Sequence, residues 1–594
     1  MRLRLLLECA ATVTILAATA GDAAFHRKLP KDEQVLHALD RLTYGPRPGD
    51  VEAVARIGLK KWIDQQLHPE RIPENTVLNQ KLVPLQSLQM DTAELIEHYP
   101  PPDLVRRIAG GKAPMPDDPV ARAAIRSLIE KQERRREAKD ASTTKVDDKV
   151  DLREQLREIL DPDQIDTLRE GTPEEKRAVL ESLSPDKLEE LAEALPPRLR
   201  APVMAAATPQ VRRMLQVMDA PPRAVAADLM AAKLYRAIYS NRQLAEILDD
   251  FWFNHFNVFM DKGADRYELT EYERDAIAPH VLGRFRDLLE ATAKSPAMLF
   301  YLDNWQSRGP VAKPGKKQTG LNENYGRELL ELHTLGVDGG YTQKDVTEVA
   351  RCFTGWSIRA PRQGGDFIYR DQWHDKGAKV VLGVTIPAGG GMDDGEKVLD
   401  ILAENPATAH HISFELAQKF VADRPPAALV DRMSKTFLKT HGDLREVMRA
   451  MLDAPEFWSR GAWHAKVKTP FEVVVSAIRA TNADVDDAFA LSLVVGRLGE
   501  PIYRKLEPTG YSNANSEWVN SAALLGRMNF GAALVSNKVP GVHVSAIAAG
   551  GDAETIARDL LFEDPSEQTR ATIEKAKPDL VAGLVLGSPD FQRR

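Results

Sequence analysis

The sequence predicts a mainly α fold: a multi-helical body with a short β-hairpin and an inserted array of short helices. Three observations carry that expectation. From Arg223 to the end, apolar residues recur at helical spacing between Gly, Pro and Asn punctuation. From Pro162 to Pro221 a proline returns at steps of 11, 12, 12, 12 and 12 residues, the mark of a repeated short element. Only Asp366-Phe367-Ile368-Tyr369 and Val380 to Ile386 read as extended, and they suggest one hairpin around Trp373 to Gly377.

With 594 residues, 43% of them hydrophobic and 28% charged, the chain can bury a large core and is not disordered, collagen-like or a disulfide scaffold. A formal net charge of −8 removes the electrostatic case for a dedicated nucleic-acid binder. Four segments are expected: a signal peptide over residues 1–24, an N-terminal helical part over 25–130, a charged linker and array over 131–222, and the main helical body over 223–594. Arg2 and Arg4, the apolar run Leu5 to Ala20, and Ala18-Thr19-Ala20 compose an export signal, although Glu8 interrupts the run. Export places the mature chain in the periplasm or outside the cell. No later segment is apolar enough to span a bilayer. Cleavage removes Cys9 and leaves Cys352 alone, so no internal disulfide can form, and Cys352 reads as a buried, inert thiol on a helix.

Residues 131–150, with Arg134-Arg135-Arg136 and Ser142-Thr143-Thr144, read as a linker. In the array, Asp161-Pro162, Thr172-Pro173, Ser184-Pro185 and Thr208-Pro209 each set a capping residue before Pro at the first helical position, so each unit is one short helix. Ile165 and Leu168, Val179 and Leu180, Leu188 and Leu191, and Val211 and Leu215 form a stripe that stacking would bury. The array is either a solvated insertion or a partner-binding solenoid.

Two helices of the main body carry polar anomalies. Over Asn241 to Phe259, Leu244, Ile247, Leu248, Phe251, Val258 and Phe259 share a face; His255 falls within it and Asn254 at its edge. Over Leu321 to Leu335, the stripe Leu321, Tyr325, Leu329, Leu332 and Leu335 surrounds Glu328, with Asn324 and Glu331 flanking it. A carboxylate inside an apolar face must be paired, metal-bound or protonated. The two faces are therefore expected to meet, with Glu328 and His255 forming a polar site or a structural pair that fixes helix register.

Asp303 and Asn304, at the end of the helix that Ser295-Pro296 opens, could orient a His, contact a sugar or cation, or simply cap the helix. His374 and Asp375 fall on the expected hairpin tip, where exposure suits ligand contact. Adjacent His410 and His411 point to different sides of their helix and suggest little. Thr342 and Asp345 form a capping box without chemistry. No His-Glu-x-x-His, Walker loop, Gly-x-Ser-x-Gly elbow, dinucleotide fingerprint or Cys pair occurs, so metal and cofactor stay unassigned.

Longer motifs add a resemblance. Phe251-Trp252-Phe253-Asn254-His255-Phe256-Asn257-Val258, Tyr301-Leu302-Asp303-Asn304, Gly320 to Tyr325 with Arg327 to Gly336, and Phe353-Thr354-Gly355-Trp356 resemble the bacterial domain-of-unknown-function family eighteen hundred (DUF 1800). The segments His37 to Pro46 and Leu586 to Gln592 resemble its two ends, so the likeness spans nearly the whole mature chain. It implies an exported protein and a second exported protein of an uncharacterised family as partner; it implies no activity and no catalytic set. Gly326 stands where the family more often has Ala, which costs the helix about 1 kcal/mol and permits a close backbone approach.

Together these readings describe an exported protein with a hydrolase-like site. Glu328 serves as general base or metal ligand, His255 as acid or second ligand, and Asn254, Asp303, Asn304, Asn324, Glu331 and His374 as binding residues. The alternative is a non-enzymatic envelope scaffold that meets its partner through the array. Substrate and oligomeric state have no signature in the sequence.

Overall fold

A side chain that accepts the first free N–H groups, followed by Pro, starts helix after helix along the chain. In the computed structural model, which describes residues 23–116, most of 122–133, 156–195, parts of 203–213, 221–309, 320–360, 363–545 and 552–594, this rule lays out the array. Helix α1 (Pro162–Glu170) opens on an Asp161–Gln164 capping box, α2 (Pro173–Ser182) on Thr172–Glu175, and α3 (Pro185–Ala194) on Ser184, which accepts from the Lys187 N–H. Their stripe is buried as expected: Leu168, Leu180, Leu188 and Leu191 form one core with Ile159, Leu195 and Val203, and Ile165, Val179 and Val211 pack against it. Residues 1–22 of the expected signal segment, 131 and 134–150 of the expected linker, Pro197, Pro209 and Leu215 lie outside the described residues.

The chain divides into two compact units, Leu85–Ala231 and the remainder, residues up to Pro84 together with Ala232–Arg594. The first unit therefore begins well before residue 131, where the charged segment was expected to start. Its anchor explains why. Asp228, on helix α4 (Pro221–Tyr239), accepts from the Ser87 hydroxyl at 2.6 Å and from the Arg213 guanidinium at 2.9 and 2.6 Å, while Arg213 also reaches the Tyr99 hydroxyl at 3.3 Å. Residues on both sides of the array thus share one buried carboxylate.

The second unit is mainly helical, as the sequence predicts. Helix α5 (Gln243–His255) buries Leu244, Ile247, Leu248, Phe251 and Trp252, and His255 lies inside that face. Helix α6 (Asn324–Glu331) is shorter than the stripe from Leu321 to Leu335 suggests. It ends because the Thr334 hydroxyl takes the Leu329 carbonyl at 2.6 Å and Gly336 turns left-handed at φ 83°. Gly326 of α6 lies against α7 (Gln343–Cys352), where a Cβ would come within 3.1 Å of the Ala350 nitrogen and the Val346 carbonyl, so the close approach expected there is made. The Thr342–Asp345 capping box opens α7, and Cys352 at its end is buried, its thiol pushed up to about 12 chiefly by burial.

The extended region forms two hairpins rather than one. Strand β1 (Trp356–Ile358) pairs antiparallel with β2 (Phe367–Tyr369), and β3 (Lys379–Val381) with β4 (Val384–Ile386). Gly355, at φ 85°, makes the first possible: a Cβ there would fall 2.7 Å from the Arg370 carbonyl. Helices α8 (Asp393–Ala403) and α9 (Pro406–Phe420) follow, the latter capped by Asn405. A third two-stranded sheet joins β5 (Asp484–Val485) to β6 (Val542–His543). No described helix is long and apolar enough to cross a membrane.

Candidate functional site

Helix α9 brings three polar side chains to one side through spacing alone, since His411, Glu415 and Gln418 stand at i, i+4 and i+7. All three line a cleft of about 580 Å³ in the second unit, together with Asn254 and His255 from the end of α5, Glu331 from the end of α6, and residues 505–518. The carboxylate hydrogen-bonded to His255 is Glu415, at 2.7 Å from Nδ1. The other ring nitrogen, Nε2, lies 3.2 Å from the His333 carbonyl. These two contacts, one to a carboxylate and one to a backbone carbonyl, fix the orientation of the ring.

Electrostatics agree with that arrangement. Burial is the largest influence on Glu415 and would raise its pKa, but the charge and hydrogen bond of His255 outweigh it and hold the carboxyl below its ordinary range. Its side chain keeps 26% exposure, so one carboxylate edge remains open. His411 Nε2 lies 3.7 Å from Glu415 Oε1 and 3.3 Å from the Leu332 carbonyl. Burial lowers the pKa of His411, only partly opposed by Glu415, and keeps the ring neutral at physiological pH. Gly336 permits this packing, because a Cβ there would come within 3.0 Å of His411 Nδ1. His333, fully buried and pushed well below its usual pKa by burial and then by its two histidine neighbours, completes a trio with ring centres 6.1 and 6.3 Å from His255.

Asn254 acts on the cleft wall. Its Nδ2 donates to the Tyr511 carbonyl at 2.7 Å and its Oδ1 accepts from the Tyr511 N–H at 2.6 Å, a two-point clamp on the backbone. Behind the clamp lies a chamber of about 50 Å³ lined in part by Lys233, Asp250, Lys419 and Glu500. Lys233 is held by Asp250 at 3.2 Å and Glu273 at 3.4 Å. Burial, then the nearby charge of Asp250, pushes Glu500 up to about 8.

The other expected site residues are distributed differently. Glu328 does not line this cleft and is half-buried, its pKa raised by burial and then by Glu331. The expected partnership with His255 is replaced by Glu415, because Leu321, Leu332 and Leu335, which set Glu328 among apolar neighbours on a helical wheel, lie outside α6. Glu331 does reach the cleft and accepts from the Tyr341 hydroxyl at 3.2 Å. Asn324 is exposed, with its Nδ2 3.4 Å from the Leu302 carbonyl. Asp303 pairs with Lys262 at 3.1 Å, and buried Asn304 donates to the Phe353 and Trp356 carbonyls at 3.2 and 3.3 Å, which ties loops together away from the cleft.

His374 is not at an exposed tip. It is buried between the hairpins, with Nδ1 2.8 Å from the Thr354 carbonyl and Nε2 3.1 Å from Asp394 Oδ2, which also accepts from Lys379 at 2.7 Å. Asp375 is buried too, and its carboxylate binds the Arg351 guanidinium at 2.7 and 3.2 Å. Among the described residues no group of three or more His, Cys, Asp or Glu side chains is placed to hold a metal ion.

Sequence reasoning missed Glu415 and His411 as a site. The signal was the one-turn His411-to-Glu415 spacing, obscured by attention to adjacent His410. The sequence model of a family described as "Protein of unknown function (DUF1800)" matches residues 37–593. No curated protein and no solved structure matches the chain.

Proposed function

From the premise that the chain belongs to the DUF1800 family, whose description assigns no activity, we propose that it is a hydrolase-like enzyme of the cell envelope working through Glu415. One observation carries the proposal: at the floor of the cleft an ionised, partly open carboxylate is oriented by His255 at 2.7 Å and flanked by neutral His411. A carboxylate so held can take a proton from water while the water oxygen attacks the substrate. Glu415 can then deliver that proton to the leaving group as its bond to the substrate breaks, so the carboxylate ends as it began, while neutral His411 can hydrogen-bond the attacking water and hold it in line. The role of general base thus moves from Glu328 to Glu415. Envelope location rests on the export signal from Arg2 to Ala20. The partner-binding alternative has less support, since the array spends its apolar stripe on its own core.

The test uses purified mature protein against chromogenic esters, amides and glycosides. One bond class is cleaved, and Glu415→Gln lowers kcat by about 100-fold or more while thermal melting stays within a few degrees. Cleavage of no class, or full activity in Glu415→Gln, overturns the proposal.

A further inference from the structure

The cleft also carries information about what it binds, an inference that rests on its being the substrate site. Residues 505–518 supply eight of its lining residues, and side chains rather than a strand ladder hold them in place. Besides the Asn254 clamp on Tyr511, Asn257 Nδ2 donates to the Lys505 and Glu507 carbonyls at 3.0 and 2.9 Å, and the Tyr301 hydroxyl to the Leu506 carbonyl at 2.7 Å. Tyr511 is fixed further by its own hydroxyl, which donates to the Pro501 carbonyl at 2.9 Å. A wall pinned at this many points is preorganised, and ordering it costs little when a ligand arrives.

Its chemistry is one-sided. Among the described residues three carboxylates line the cleft, Glu331, Glu415 and Glu517, whereas the one Lys or Arg among them, Lys505, is paired with Glu507 at 2.9 Å. An anionic ligand would meet carboxylates and no unpaired lysine or arginine; a ligand rich in hydroxyl or ammonium donors would meet acceptors. Thr509, Ser512, Asn513 and Gln418 add neutral hydrogen-bonding groups to the lining, and Tyr511 and Trp518, with ring centres 6.0 Å apart, add aromatic surface. Hydroxyls, amides and carboxylates around an aromatic face match a sugar, which presents both a polar edge and an apolar C–H face.

We propose that the cleft binds a non-anionic glycan segment, neutral or amino-substituted, with Tyr511 against the ring and Glu331 and Glu517 accepting from its hydroxyl or ammonium groups. Isothermal titration of the mature protein and of Glu415→Gln with a cello-oligosaccharide, a chitosan oligosaccharide, an oligogalacturonate and an oligolysine tests this. Binding of either of the first two, with the oligogalacturonate rejected, supports it and identifies the source. The amino sugar should weaken as salt rises, and Glu517→Gln should weaken it by about fivefold while sparing the neutral one. Failure of both sugars to bind, equal binding of the oligogalacturonate, or binding of oligolysine alone overturns it. Sugar binding without cleavage of any bond class would remove the hydrolase proposal and leave this one standing. Ester or amide cleavage without sugar binding would do the reverse.

Discussion

Two histidine–carboxylate pairs in this molecule have similar geometry and opposite surroundings. His255 and Glu415 meet at 2.7 Å on the floor of a cleft, with Glu415 26% exposed. His374 and Asp394 meet at 3.1 Å with both side chains at 0% exposure, and Lys379 closes on the same Asp394 oxygen at 2.7 Å. In the sealed pair Asp394 Oδ2 is committed to two protein donors, so it organises the hairpins. In the open pair one carboxylate edge stays available to a ligand. The contact itself does not separate a chemical site from a structural one; exposure does, since the second oxygen of Asp394, although it has no partner, is sealed from any ligand.

The strongest test of that contrast removes the shared carboxylate of the sealed pair. Asp394→Ala leaves Lys379 buried without its counter-charge and should cost about 3–5 kcal/mol in urea unfolding. Glu415→Gln, which retains a hydrogen-bonding side chain in a hydrated cleft, should cost about 1 kcal/mol. Equal losses would erase the distinction.

Acid sharpens it next. His411 and His333 are held neutral, with folded pKa values below the unfolded 6.5. The unfolded chain then binds more protons, so their contribution is intact above about pH 6.5 and is lost as pH falls towards the folded values. Each such histidine costs up to about 1.4 kcal/mol per pH unit in that window. Carboxyls with raised pKa, such as Glu500, slope the opposite way between the unfolded carboxyl value and about 8, so the readout is a difference between variants. As pH falls from 7.5 to 5 the parent chain should lose stability relative to His411→Asn; a difference between the two that does not change with pH would show that His411 is not held neutral.

The smallest effect is expected at Glu328. As a half-buried carboxylate outside the cleft, it should tolerate Glu328→Gln within about 0.5 kcal/mol and without loss of any turnover found for the parent chain. A variant that is stable but inactive would return Glu328 to the chemistry.

What was legible in the sequence was local. Capping residues and Pro gave the starts of α1 to α3, and the apolar face of α5 gave the burial of His255, because both depend on residues within a few turns. The Glu328 expectation failed where a wheel was drawn past the end of its helix: the Thr334 hydroxyl stops α6, and no periodicity reports that. His374 was misplaced because β2 pairs with β1, a partner chosen by the left-handed Gly355 rather than by strand composition. The Glu415 contact joins residues 160 apart, a distance over which one sequence carries no pairing signal.

The array has a consequence for how this chain can change length. The units that open at Pro162, Pro173 and Pro185 each bring their own start signal and bury apolar residues in one shared core, so an added unit of that kind brings one more interface of the same kind and leaves the others undisturbed. Length in this segment is therefore quantised. Duplications or deletions of whole units keep the stack in register, whereas a gain or loss of a few residues would rotate every later stripe away from its neighbour.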